Sequence, residues 1–122
     1  MAYEPKVIKI NDIEYVPKGD NEPAKKMDGL EYVIIRGENS GVFAGYLESK
    51  NKQEVILRNA RRIWYWDGSA SLSELAVNGT SKPENCKFPC EVKKIQILDV
   101  IEVIDCSKKA QESITNVPIW KN

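Results

Sequence analysis

Three arginines and two tryptophans fall within one short stretch: Arg58, Arg61, Arg62, Trp64 and Trp66, with Tyr65 between the indoles. A guanidinium presents a planar fork of donors that grips phosphate oxygens in pairs. An indole face stacks on a nucleobase, an interaction worth about 1–3 kcal/mol per base in nucleic-acid complexes. The chain then passes through Asp67-Gly68-Ser69 into Ser71-Leu72-Ser73-Glu74, the pattern of a capping box that opens a helix. Free backbone N–H groups at a helix entry attract anions. Together Arg58, Arg61, Arg62, Trp64, Trp66, Ser69 and Ser71 predict a pocket for a nucleotide-like or otherwise phosphorylated small molecule. The same residues also suit an ordinary core, since buried tryptophan is common and arginines are often solvated or ion-paired. The residue types alone leave both open.

Reaction chemistry finds less support. The chain has no histidine, which removes the commonest general base. Asp67 has no basic neighbour in sequence that would activate Ser69, Ser71 or Ser73. Cys90 lacks a histidine to pair with, and Asp99, Glu102 and Asp105 read as solvent-facing charges in a strand region. Gly41, Gly45 and Gly68 match neither GxGxxG nor GxxxxGK[ST], so turns and a bulge explain them. Cys86, Cys90 and Cys106 are too few for a zinc site without histidine and are expected as free thiols. A non-enzyme with no metal and no cofactor is expected.

At 122 residues the chain predicts one domain, 1–122, large enough to bury a core without staples. Eighteen basic residues balance eighteen acidic ones. A non-specific nucleic-acid binder would carry a basic excess, so that class is disfavoured. No apolar run approaches the ~20 residues of a spanning helix. The first residues, MAYEPKVIKIND, lack the apolar core of a secretory signal. A cytosolic protein without a membrane segment is expected.

The elements that would position these residues are mostly strands. Residues 6–17 alternate as a hairpin turning at Asn11-Asp12, with Pro17 ending the return strand. Residues 18–29 read as a loop. Leu30–Arg36, Val42–Glu48 and 53–57 predict a three-stranded antiparallel meander, with Gly45 at a bulge or a close backbone approach and a turn over 49–52. Residues 58–66 favour a strand, kinked near Asn59-Ala60, with Arg62, Trp64 and Trp66 on one face. A short helix follows Ser71 and stops at Asn78-Gly79. Residues 91–105 are either one long strand or two, parted at Asp99. Ser107 caps a last helix that Asn116-Val117-Pro118 ends, and Ile119-Trp120 is apolar enough to dock. The sum is an α+β, mainly β domain: a twisted antiparallel sheet or partly open small barrel with two short helices. It divides into the hairpin 6–17, a core over 30–105, and a C-terminal helix and tail over 107–122.

The run GVFAGYLESKNKQEVILRNARRIWYWDGSASLSELAV, followed by KFPCEV and the tail VPIW, resembles a small family encoded by tailed phages and prophages. The likeness covers roughly residues 30–120, and its members are known chiefly as a domain of unknown function. Phage origin, as the resemblance implies it, suggests a homo-oligomeric, non-catalytic sponge. Such a protein holds a nucleotide-derived immune signal of the host and so blunts its defence. Trp64 or Trp66 would stack on the base and Arg58, Arg61 or Arg62 would meet the phosphates. The alternative is a protein-interaction module in which the Trp64-Tyr65-Trp66 cluster and Ile119-Trp120 anchor a host or phage partner. A virion or assembly accessory component is the third expectation.

Overall fold

The computed structural model describes residues 22–121 throughout, and before them only the strands β1 (Ile8–Ile10) and β2 (Ile13–Tyr15). Those two pair antiparallel, Ile8 with Tyr15 and Ile10 with Ile13. The expected Asn11-Asp12 turn and the Pro17 stop lie outside the described residues.

The expected meander forms as β3 (Tyr32–Gly37), β4 (Val42–Asn51) and β5 (Glu54–Arg62). The second turn is tighter than the predicted 49–52. Asn51 pairs with Glu54, leaving Lys52 and Gln53 between them, and Lys52 takes a positive φ of 57°. Residues 91–105 resolve into two strands, β6 (Val92–Ile97) and β7 (Val100–Asp105). The sheet order is β6-β5-β4-β3-β7, so these neighbours in sequence occupy opposite edges.

That order fixes the shape. Four strand spacings would separate the edges of a flat sheet by ~19 Å. Three Cα steps from Ile97 to Val100 reach at most ~11 Å. The sheet must therefore coil until its edges approach, and Val100 N–H donates to Gln53 O at 3.0 Å across the closure. This is the partly open barrel form of the expected fold.

Coiling gives the sheet two buried faces. Val33, Ile35, Phe43, Val55, Leu57, Ala60, Ile97 and Val100 fill the inside. Tyr32, Ile34 and Ala44 line the outside, beneath Leu75, Ala76, Phe88, Ala110 and Ile114. Strand β3 alternates between the two, so Val33, Ile34 and Ile35 are all fully buried. Each such side chain stabilises by about 1.5–3 kcal/mol, which makes β3 the spine of the domain.

Two helices cover the outer face: α1 (Leu72–Asn78) and α2 (Lys108–Asn116). Both start as the sequence predicts. Ser71 Oγ accepts from Glu74 N–H at 3.1 Å and Ser107 Oγ from Ala110 N–H at 3.0 Å. Gly79 ends α1 with φ 74°, and a side chain there would strike Ser113 of α2. Gln111 of α2 holds the segment after residue 22: its amide donates to Lys25 O and accepts from Lys25 N–H.

The strand predicted over 58–66 ends at Arg62. Ile63 N–H makes the last bond to β4, on Val42 O. The amides of Trp64 and Tyr65 then turn to Lys87 O, and Lys87 N–H returns to Tyr65 O at 2.8 Å. The partner changes, so Trp64 and Trp66 do not continue the β5 face that carries Arg62. The predicted kink is present: Asn59 has φ 49° and the β4–β5 register shifts between Ala44 and Tyr46.

Candidate functional site

The three arginines of β5 end on different acceptors. Arg61 is only 5% exposed. Its Nε donates to Pro89 O at 3.0 Å, its Nη1 to Ile114 O and Val117 O at 2.8 Å each, and its Nη2 to Phe88 O at 2.7 Å. Burial lowers its pKa from the usual arginine value. A guanidinium has five N–H groups, and these bonds occupy four of them, with Pro118 O a longer 3.5 Å from Nη2. Arg61 thus ties the 88–89 loop to the carboxyl end of α2.

Arg62 lies over the Phe43 ring, 4.3 Å from its centre, and its Nη1 donates to Ser40 O at 2.7 Å. Arg58 is half-exposed and pairs with Asp28 at 3.1 Å and Glu48 at 3.7 Å. A cavity of about 290 Å³ is lined by Tyr32, Arg61, Glu91, Thr115, Val117 and Ile119, and neither Arg58 nor Arg62 reaches it. Burial raises the Tyr32 phenol pKa well above its usual value, so the hydroxyl stays protonated.

The helix entry is also occupied. Ser71 caps α1, and Glu74 Oε1 accepts from Ala70 N–H at 2.6 Å. Ser69 Oγ donates to Gly79 O at 3.2 Å. Asp67 accepts from Asn85 Nδ2 and Gly68 N–H, which hold its carboxyl below the usual range, and Thr80 donates to its carbonyl. These bonds knit residues 67–85 into one loop structure. Ser69 and Ser71 lie in it, on a different element from the arginines.

Trp66 is half-buried against the outer core, whereas Trp64 is 64% exposed. Two exposed rings, Tyr65 and Trp120, come to one group elsewhere. The Tyr65–Lys87 bridge brings the 64–65 segment to residue 87. One residue on, Phe88 bridges Ile119, and Trp120 N–H donates to Phe88 O at 3.0 Å. Tyr65, Ile119 and Trp120 stay 50%, 57% and 42% exposed. The Lys87 ammonium lies near both, 5.9 Å from the centre of the Tyr65 ring and 5.6 Å from that of Trp120. Sequence names the Trp64-Tyr65-Trp66 cluster and the Ile119-Trp120 tail as anchors of one interaction module, without the contact that joins them. It gave no sign of Lys87, whose role comes from a bridge between residues distant in sequence.

The family comparison matches residues 30–114 to a domain of unknown function, DUF6948. The chain belongs to that family. No curated protein and no solved structure matches it. The matched span runs from the start of the meander into α2, so it holds β5, Trp64, Tyr65 and Lys87, while Ile119 and Trp120 lie beyond it. All three cysteines are free, Cys86 and Cys106 buried and Cys90 exposed. Burial, with Asp105 beside it, pushes the Cys106 thiol up to about 12. Among the described residues no helix is long and apolar enough to cross a membrane.

Proposed function

We propose that this DUF6948 chain is a non-catalytic binding module that engages a protein partner through Trp64, Tyr65, Ile119 and Trp120. One observation carries the proposal: two segments far apart in sequence are pinned together by backbone bonds, yet their large apolar side chains remain in solvent. Apolar area left in water is recovered as affinity when a partner covers it. Tryptophan and tyrosine are the side chains most enriched where such interfaces hold their energy. Lys87, near the Tyr65 and Trp120 rings, adds a charge that favours an acidic or carbonyl-rich contact. The test is co-purification from cell lysate with wild type and with Trp64→Ala/Trp120→Ala. One protein retained by the wild type and lost by the folded variant supports the module. Equal recovery by both rules out this surface.

The exposed Trp64 ring and the Lys87 ammonium favour a second reading, sequestration of a nucleotide-derived host signal by a homo-oligomeric phage protein. A base would stack on Trp64 and Lys87 would meet a phosphate, in place of the arginines. A thermal-shift screen against cyclic dinucleotides, ADP-ribose derivatives and common nucleotides tests it. Ligand at a hundredfold excess over Kd stabilises by about 2.7 kcal/mol, a shift of several degrees. No shift with any of them removes this reading and leaves the protein partner.

A further inference from the structure

Ile119 belongs to two surfaces. It is 57% exposed beside Trp120, and it also lines the cavity of about 290 Å³ that Arg61 and Tyr32 share. Tyr32 is only 3% exposed. It begins β3, and Arg61 lies two strands away on β5, a separation of roughly 10 Å in the sheet. A ring rooted on β3 meets a cavity at Arg61 by its far end, so the hydroxyl is the part of Tyr32 that reaches it. Among the described residues this hydroxyl has no hydrogen-bond partner, whereas the neighbouring Tyr46 hydroxyl accepts from Gln111 Nε2 at 3.1 Å.

Two further residues of the wall keep open acceptors. Glu91 is exposed and has no ion pair among the described residues. Burial is the main cause of the raised Tyr32 pKa, and the Glu91 charge adds to it, so the carboxylate lies within charge range of the hydroxyl. Thr115 Oγ1 donates to Gln111 O at 2.9 Å, which leaves its lone pairs for a donor. Arg61 is the one cation among the lining residues. Its N–H groups are committed to the carbonyls of Phe88, Pro89, Ile114 and Val117. The last two lie at the carboxyl end of α2, where the helix dipole offsets part of its charge. Val117 and Ile119 complete the wall with aliphatic surface.

Open oxygen acceptors, an unpaired carboxylate and aliphatic sides suit an ammonium on a hydrocarbon stem. Lysine carries three N–H donors and no acceptor, and its methylenes pack on apolar surface while the head meets polar groups. We infer that this cavity receives a lysine side chain of the partner protein, with the ammonium on Glu91 and the Tyr32 and Thr115 hydroxyls and the stem along Val117 and Ile119. The inference rests on the binding-module reading above and names what that partner carries beside the surface that covers Trp120. An acidic side chain in the same place would meet Glu91 as a like charge and would find the Arg61 N–H groups already bonded.

The first test needs no partner. Butylamine, a lysine side chain without its backbone, is titrated into the full chain at neutral pH and followed by NMR. The signals of Thr115, Val117 and Ile119 should shift and saturate, and butanol, with the same stem and no charge, should bind more weakly. Glu91→Gln keeps the shape and removes the charge, and it should weaken butylamine about fivefold, the effect of one exposed ion pair. Glu91 is exposed, so the variant keeps the fold, which circular dichroism checks. Shifts that never saturate, butanol binding as tightly as butylamine, or a Glu91→Gln titration equal to wild type each overturn the site. The second test is co-purification with Glu91→Gln. A partner weakened by this variant as well as by Trp64→Ala/Trp120→Ala supports the lysine contact. A partner lost with the tryptophan pair and held fully by Glu91→Gln overturns it and leaves the module standing. No partner on the wild type overturns the module and the lysine with it, while saturable, Glu91-dependent butylamine binding would still establish an amine site.

Discussion

The Arg61 guanidinium donates to the carbonyl oxygen of Phe88 at 2.7 Å and lies 5.5 Å from the centre of the same residue's ring. Phe88 is fully buried in the outer core, and its carbonyl also accepts from Trp120 N–H. One charged side chain therefore holds the loop that presents Lys87 and the tail that presents Trp120.

Removing it should be costly. Arg61→Ala takes the buried side-chain donor from the carbonyls of Phe88, Pro89, Ile114 and Val117, leaving Ile114 O only the Val117 N–H and Phe88 O only the Trp120 N–H. The expected loss is about 3–5 kcal/mol, the range for breaking a buried charged network. Arg61→Lys should recover only part, because a single ammonium cannot reach carbonyls on both sides of the fork. Urea denaturation of both variants measures this. A change below about 0.5 kcal/mol in Arg61→Ala would remove Arg61 from its structural role, since that is the scale of an ordinary surface substitution.

Asp99 joins the β6–β7 connection to the β3–β4 turn. Its carboxylate accepts from Ser40 Oγ at 2.6 Å, Asn39 N–H at 2.7 Å and Ser40 N–H at 3.1 Å. The Ser40 hydroxyl and the Asn39 amide hold its pKa below the usual carboxylate value. A carboxyl depressed on folding stabilises fully above its unfolded pKa of about 3.9, and that stability is lost as pH falls through the folded value. Asp99→Asn should therefore be less stable than wild type near neutral pH. The deficit should shrink below about pH 4 and close once the wild-type carboxyl is protonated. Denaturation midpoints of both proteins from about pH 7 down to about pH 2 test this, and a deficit constant with pH would contradict it.

Much of the fold was legible because its signals are local. The alternation of Tyr32–Gly37 and Val42–Asn51, the Ser71 and Ser107 caps and the Gly79 stop each depend on a few adjacent residues. The crossing from β6 to β7 was not legible, because it depends on the closing of the whole sheet. The candidate site was legible in its residue types and not in their use. Arg61 looks the same in sequence whether it grips a phosphate or four carbonyls, and those carbonyls come from Phe88, Pro89, Ile114 and Val117. Trp64 and Trp66 alternate like one strand face until the chain exchanges β4 for Lys87 as its partner.

Gly45 reads in sequence as a bulge or a close approach, and it is both. A methyl group there would sit 3.0 Å from Cα and Cβ of Ala60, across the register shift that Asn59 begins. The neighbour is backbone in the densest strand pair and has little room to give. Gly45→Ala should cost about 1–3 kcal/mol, as overpacking of a filled core does. Asn59→Gly should be close to neutral, because glycine takes its positive φ freely. Thermal unfolding of the pair checks both, and a stable Gly45→Ala would show that β4 and β5 can move apart here.

The two tryptophans should part company in every measurement. Trp64→Ala removes a ring that is 64% in solvent, so stability should change by no more than about 0.5 kcal/mol. Trp66 is half-buried against the outer core, so Trp66→Ala should cost about 2 kcal/mol, less than a fully buried indole. Acrylamide should quench Trp64 emission strongly and Trp66 weakly, read in variants that retain one or the other. The functional effects should run the opposite way. Trp64→Ala should lose the partner while keeping the fold, and Trp66→Ala should keep the partner wherever it remains folded. If Trp66→Ala, folded, is the variant that loses the partner, the binding surface lies on the α1 side of the loop, away from Lys87.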